Sequence, residues 1–264
     1  ISLIDYSNIN RNAFHITDEW SYTNGKKKNR ADIIFVINGI PVAIVETKSE
    51  LNNIDDALLQ IQRYHSETPE LMTFVQIFLA ASLTDFRYGV SWNMNRKNIF
   101  KWKDEENADF EKKVKVFFLK ERFLGLIKDW IVFYLKDDEL NKIVLRQQQI
   151  RAVEKVVERA IDPAKKRGLV WHTQGSGKTF TMIKSAELLI RLPVKPTVLM
   201  LVDRNELEGQ LSGWIRSILG SDANRLVKSK RELKKIIKND YRGLVVSMIH
   251  KFDSSDEILS ERSN

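Results

Sequence analysis

Between residues 30 and 81, short apolar runs alternate with polar loops. Residues 33–37, 42–45 and 74–81 are rich in Ile, Val, Phe and Leu and predict strands. Between them, Ile54, Ala57, Leu58, Ile61 and Tyr64 recur at helical spacing, which predicts a helix over residues 54–64 with one buried face. An acidic stretch, Asp104, Glu105, Glu106 and Asp109, reads as a loop. The apolar-rich segment 114–135 after it is predicted helical. From Arg146 the rhythm changes. Ile150, Val153, Val156, Val157, Ala160 and Ile161 form a helical stripe that ends near Pro163. Leu169, Val170 and Trp171 predict a short buried strand. Residues 180–190 predict a helix, 197–202 a strand, 206–219 a helix and 244–249 a strand. Strands alternating with helices predict a parallel sheet covered on both faces. The expected fold is α/β throughout: a mixed domain over 1–110, a helical connector over 111–145, and a parallel-sheet domain over 146–264. No internal repeat or low-complexity linker interrupts it.

Composition narrows the picture. The chain has 264 residues, 43% hydrophobic and 30% charged, enough for two ordinary domains with cores of their own. Apolar runs such as residues 131–135 are far short of the roughly 20 residues that span a bilayer. The absence of cysteine excludes disulfides and thiolate-bound zinc. With no signal peptide or lipidation site, the expected location is cytoplasmic. The chain opens on Ile1 rather than Met, as expected of a mature or cut piece or of one whose first residues are missing. Net charge is +8, with basic clusters at Lys26-Lys27-Lys28 with Arg30, at Lys165-Lys166-Arg167, and from Lys228 to Lys238. Such clusters suit a polyanionic partner, although solvated helix faces carry similar runs.

The most specific signal is Thr173-Gln174-Gly175-Ser176-Gly177-Lys178-Thr179, between a predicted strand and a predicted helix. That placement is what a phosphate-binding loop needs. Gly175 and Gly177 let the backbone approach phosphate oxygens, and the Ser176 position and helix N-terminus supply amides. Lys178 would reach the β- and γ-phosphates of ATP, and Thr179 would ligate its Mg²⁺. His172 stands where the strict pattern has Gly. Gln149, on the preceding helix, could pair with an adenine edge, with Gln147 and Gln148 competing for that role.

A second constellation lies upstream. Asp32 precedes one strand run and Glu46-Thr47-Lys48 closes the next, with Asn38-Gly39 as the hairpin signal between them. Two carboxylates at one sheet edge can hold Mg²⁺ through hard oxygen ligands. The metal can polarise a phosphodiester and activate water, and Lys48 can stabilise phosphate charge or orient that water. A shared site requires Asp32 to face Glu46. A two-residue turn without a bulge would send them to opposite faces. The expectation is therefore a three- or five-residue turn centred on Gly39. Gln60 and Tyr64, one helical turn apart, could support the site or touch a DNA backbone.

Together these residues resemble a known family. Asp32, Glu46-Thr47-Lys48 and the Gln60…Tyr64 pair resemble the PD-(D/E)xK nucleases in their form with a downstream Q-x-x-x-Y motif. Residues 172–179, with Val202-Asp203-Arg204-Asn205-Glu206-Leu207, are similar to the motor core of the R subunit of type I restriction enzymes. The resemblance implies a PD-(D/E)xK nuclease domain followed by a RecA-like P-loop domain, the first half of a helicase-like translocase of double-stranded DNA. It implies assembly with modification (methyltransferase) and specificity subunits, and Mg²⁺ and ATP as cofactors. It makes Asp32 and Glu46 metal ligands, Lys48 the catalytic lysine, Gln60 and Tyr64 supporting nuclease residues, and Gln149 the adenine reader. Arg204 and the Ser247…Lys251 segment match positions that contact the DNA backbone. Ala31 replaces the Pro of the motif, and Ser247 stands where Thr is usual. No apolar strand ends in Asp-Glu: Asp256-Glu257 follows Asp253-Ser254-Ser255 and does not qualify. The second motor domain is also missing, so the chain reads as an N-terminal fragment that should not turn over ATP by itself. The competing readings are a type III restriction or repair helicase–nuclease, a DNA-binding module with an inactive nuclease site, and a plain P-loop ATPase with an N-terminal partner platform.

Overall fold

A computed structural model describes residues 2–102, 109–202, 205–220, 224–227 and 230–248. The chain divides into two compact units, one of residues 1–133 with 138–147 and one of residues 134–137 with 148–264.

The first unit is built on a six-stranded sheet in sequential order: β1 (Phe14–Thr23), β2 (Lys28–Ile37), β3 (Ile40–Thr47), β4 (Ile77–Ala81), β5 (Phe86–Val90) and β6 (Phe100–Lys101). Only β3 and β4 run parallel. Parallel neighbours need a crossover, and α1 (Ile54–Glu67) with the short α2 (Pro69–Phe74) makes it. The Asn53 side chain caps α1 by accepting from the Asp55 amide, and Asp55 and Asp56 sit in its first turn, where the helix dipole favours them. The predicted stripe, Ile54, Ala57, Leu58, Ile61 and Tyr64, is the buried face and packs on Ala31, Ile44, Phe78 and Ala80. The strand predicted over 74–81 is shorter: Phe74 ends α2 and the strand starts at Ile77. Sequence reading missed β1. It is an edge strand with no fully buried residue, so its hydrophobic alternation is weak.

The hairpin between β2 and β3 departs from the expected loop. Ile37 pairs with Ile40, so the turn has two residues, Asn38 and Gly39, both at positive φ. The three- or five-residue turn is therefore corrected. The parity it was meant to supply comes from a bulge instead. Val36 pairs with Pro41 but Phe35 pairs with Ala43, leaving Val42 as the extra residue. Ile33 then pairs with Val45, so the next position along brings Asp32 beside Glu46.

The segment 114–135 is helical only in part. α3 (Phe110–Phe117) and α4 (Lys120–Gly125) run into a single π turn that ends at Trp130. The chain then forms β7 (Ile131–Lys136), paired with β8 (Glu139–Val144). Asp137 and Asp138, both at positive φ, make the turn. A helix gives way here because β-branched and aromatic residues find a partner strand. On β8, Lys142 is 0% exposed. Its Nζ donates to the Gln76 Oε1 at 3.0 Å and lies 4.1 Å from the centre of the Trp92 ring. Burial lowers its ammonium to about 7, and His65, itself lowered by burial, is the titratable neighbour that feels its charge. Because the folded pKa lies below the unfolded one, the unfolded chain holds the extra proton between about pH 7 and 10.5. Stability should rise across that window by up to about 1.4 kcal/mol per pH unit from this group. Urea midpoints of wild type and Lys142→Met at pH 7 and 9.5 test this. The wild type should gain more over the interval, and parallel shifts would show that the lysine is not held as described.

In the second unit, β10 (Asn224–Leu226), β11 (Gly243–Met248) and β9 (Thr197–Val202) form a parallel sheet in that order. α5 (Gln147–Ile161), α6 (Lys178–Ile190), α7 (Asn205–Leu219) and α8 (Lys230–Lys238) complete it. One face packs Ile183, Ala186, Leu211 and Ile215 against Met200, Val202, Leu244 and Val246. The other packs Leu233 and Ile236 of α8 against Val245. Both faces are covered, as the alternation predicted. The strand expected over 169–171 does not form: Leu169 is 83% and Trp171 86% exposed. No described strand pairs with this segment, and without a ladder an apolar triplet has no reason to become a strand.

Candidate functional site

The end of β3 gathers the predicted carboxylates and lysine. Glu46, on β3, is 0% exposed. Its Oε1 accepts from the Tyr64 hydroxyl at 2.8 Å and lies 3.4 Å from the Asp32 amide. Its Oε2 is buried with no hydrogen-bond partner. Burial pushes this carboxyl up to about 7, against the pull of the Tyr64 hydrogen bond, and the Asp32 charge adds to the push. An orphaned oxygen on a buried acid is costly unless something completes it. Asp32 is oriented by Thr47, whose amide and hydroxyl both donate to Asp32 Oδ2, at 2.7 and 2.9 Å. Sequence reading gave Thr47 no role, although its place between Glu46 and Lys48 was the available signal.

A chain of side-chain hydrogen bonds joins the lysine to the acid. Lys48 Nζ donates to Gln60 Oε1 at 3.1 Å, Gln60 Nε2 donates to the Tyr64 hydroxyl at 2.7 Å, and that hydroxyl reaches Glu46. The same hydroxyl lies 2.6 Å from the Arg30 carbonyl, so its single proton serves one of two acceptors at a time. Burial pushes the Tyr64 phenol above its ordinary range, which keeps it a donor at neutral pH. α1 presents Gln60 and Tyr64 together because they stand one turn apart. The structure thus brings Asp32, Glu46, Lys48, Gln60 and Tyr64 into one site. The donors fit a hard cation: two carboxylates, one with a free buried oxygen. Among the described residues no group of three His, Cys, Asp or Glu could hold a metal, so a bound ion would need other oxygens as well.

The second unit holds the glycine-rich loop expected to bind phosphate. Gly175 and Gly177 adopt positive φ, and Gly177 caps α6, so Lys178 and Thr179 open the helix. A side chain at Gly177 would bring its Cβ to 2.5 Å from the Gln149 amide nitrogen, which donates to the Gly177 carbonyl at 3.0 Å. Gln149 is 5% exposed and braces the loop. Lys178 Nζ donates to the carbonyls of His172 and Thr173, at 3.0 and 2.9 Å. The Ser176 hydroxyl is buried without a partner. Ser247 is 0% exposed with its Oγ unpartnered, and so is not presented at the surface. Arg204, Lys251 and Asp256-Glu257 lie outside the described residues.

Fold and sites define a chain that joins a mixed α/β domain with a carboxylate–lysine site to an α/β domain with a P-loop. Residues 1–94 match the family model for the type I restriction enzyme R protein N terminus, and residues 148–264 match the model for the SWI2/SNF2 ATPase. A protein of Methanocaldococcus jannaschii named for the endonuclease subunit of type I restriction enzyme MjaVIIIP is 33% identical over 284 residues, covering 97% of this chain and 27% of the relative. A second from that organism, named for MjaIXP, is 30% identical over 309 residues, with 100% and 29% covered. The type I restriction enzyme SsaAORF53P endonuclease subunit of Staphylococcus saprophyticus is 27% identical over 262 residues, with 97% and 28% covered. The chain is similar to type I restriction enzyme endonuclease subunits over nearly its whole length, and it spans between a quarter and a third of the length of these relatives. No helix among the described residues is long and apolar enough to cross a membrane.

Proposed function

We propose that this chain is the N-terminal part of an R subunit that joins a Mg²⁺-dependent, PD-(D/E)xK-type double-stranded DNA endonuclease to an ATP-driven DNA translocase. In this reading it works in the cytoplasm with modification and specificity subunits. The observation that carries the nuclease half is the continuous link Lys48–Gln60–Tyr64–Glu46 beside Asp32. Asp32 and Glu46 would hold the metal, whose contribution is to polarise the phosphodiester and make bound water a nucleophile near neutral pH. Thr47 fixes Asp32 for that task. Gln60 fixes the Lys48 ammonium, which stabilises negative charge building on the phosphate or orients the attacking water. In the motor half, the loop amides around Gly175, Ser176 and Gly177 would bind ATP phosphates, Lys178 the β- and γ-phosphates, and Thr179 the Mg²⁺. Gln149 would read the adenine while bracing the loop. Arg204 and Lys251 are the proposed DNA-backbone contacts. Ser247 could join them only if its hydroxyl became accessible.

The direct test is metal binding. Calorimetric titration of the chain with Mn²⁺, a stand-in for Mg²⁺, should show a site that Glu46→Gln removes while the fold is kept. Heat unchanged by Glu46→Gln would favour a DNA-binding module whose nuclease site is inactive.

A further inference from the structure

The basic cluster at residues 26–30 is not used by either site. It lies on the β1–β2 ribbon. The ladder of β2 with β3 begins at Ile33, while Lys28 to Ala31 pair with Thr23 to Trp20 of β1. Side chains alternate strictly there. Asn29 and Ala31 are buried, with Asn29 bonded to Thr68 and Ala31 packed in the core under α1. Lys28 and Arg30 are exposed on the face away from α1. At strand rise, Arg30 stands about 7 Å and Lys28 about 13 Å along the ribbon from Asp32. That length corresponds to about four base pairs of duplex. Opposite them on β1 lie Thr23, across from Lys28, and Ser21, across from Arg30, both exposed. Lysine, arginine and hydroxyl side chains are the groups that bind phosphate oxygens.

Two further contacts bear on the row. The Arg30 carbonyl is 2.6 Å from the Tyr64 hydroxyl, so the root of the row is tied to the network that holds Glu46. The Arg30 guanidinium meets Glu19 at 3.4 Å, with both side chains more than 60% exposed. An exposed pair of this kind is weak and can yield to a phosphate. Lys27, by contrast, leans towards Glu67 on α1, away from the row.

We propose that the outer half of the β1–β2 ribbon is a track for the duplex backbone. Lys28 and Arg30, with Ser21 and Thr23 beside them, take the phosphates that flank the one presented to Asp32 and Glu46. The proposal rests on the nuclease reading of that site. It is tested by the salt dependence of binding of a short, labelled duplex to the chain without nucleotide. Each phosphate contact contributes about −0.9 to the slope of log K against log salt. Lys28→Ser with Arg30→Ser should therefore flatten the slope by about 2, with an unchanged urea midpoint showing that the fold is kept. The same double variant in the assembled full-length enzyme should raise the KM for DNA and leave kcat near wild type. Lys26→Ser with Lys27→Ser removes the same charge from the ribbon tip and should flatten the slope much less. Equal changes in the two doubles, or no change in the first, would overturn the track. Failure of the nuclease reading shows separately, as cutting that survives Lys48→Ala whatever the slopes do.

Discussion

Lys48→Ala in the full-length subunit, assembled with its partners and supplied with Mg²⁺ and ATP, is expected to lose plasmid cleavage while ATP consumption stays at the wild-type rate. Among the described residues the lysine is the cation bonded into the carboxylate site, through Gln60. Removing a fixed electrostatic stabiliser of this kind costs about 10²- to 10³-fold in rate. ATP use should be spared because the lysine and the P-loop belong to separate compact units with separate cores. Lys48→Arg keeps the charge but places a planar fork where Gln60 holds a point charge, so partial recovery at most is expected. Unchanged cutting by Lys48→Ala would mean that the carboxylates and lysine meet for structural reasons and that the chemistry lies elsewhere.

Lys178→Ala should remove both activities. The Lys178 ammonium is held by the carbonyls of His172 and Thr173, from which ATP phosphates would draw it away. The variant loses the charge that offsets the β- and γ-phosphates, so ATP turnover should fall by about 10²-fold or more. Cutting should fall with it, because in this reading cleavage follows translocation. The measurement is the same assay, with cleavage and ATP consumption recorded in one tube. Normal cutting by Lys178→Ala would end the coupling idea while leaving the nuclease site intact.

Much of the second unit was legible because its elements are local. β9 runs over the predicted 197–202, and the helices after the P-loop and after β9 start within two residues of their predicted positions. Their apolar spacing encodes one buried face whatever they pack against. The glycine-rich turn before α6 was legible for a similar reason: glycines at Gly175 and Gly177 declare positive φ in the sequence itself. Lys142 was not legible as a buried charge. Its only signal was its place two residues before Val144, on the inward side of β8.

The carboxylate–lysine site divides the same way. Sequence by itself determined its members: two acids and a lysine at strand ends, and an amide and a phenol one helical turn apart. It misjudged the turn: in place of the expected three- or five-residue loop, Asn38-Gly39 makes a two-residue hairpin, whose positive φ these residues suit. The tertiary structure decided how the acids meet. The odd residue that brings Asp32 beside Glu46 sits in the strand, at Val42, because a bulge corrects register without disturbing a favoured turn. It also decided that Gln60 bridges Lys48 and Tyr64, a link that exists only once α1 lies across the sheet. Residues 169–171 show the converse: a strand is a pairing between segments, so local hydrophobicity could name a candidate but not supply its neighbour.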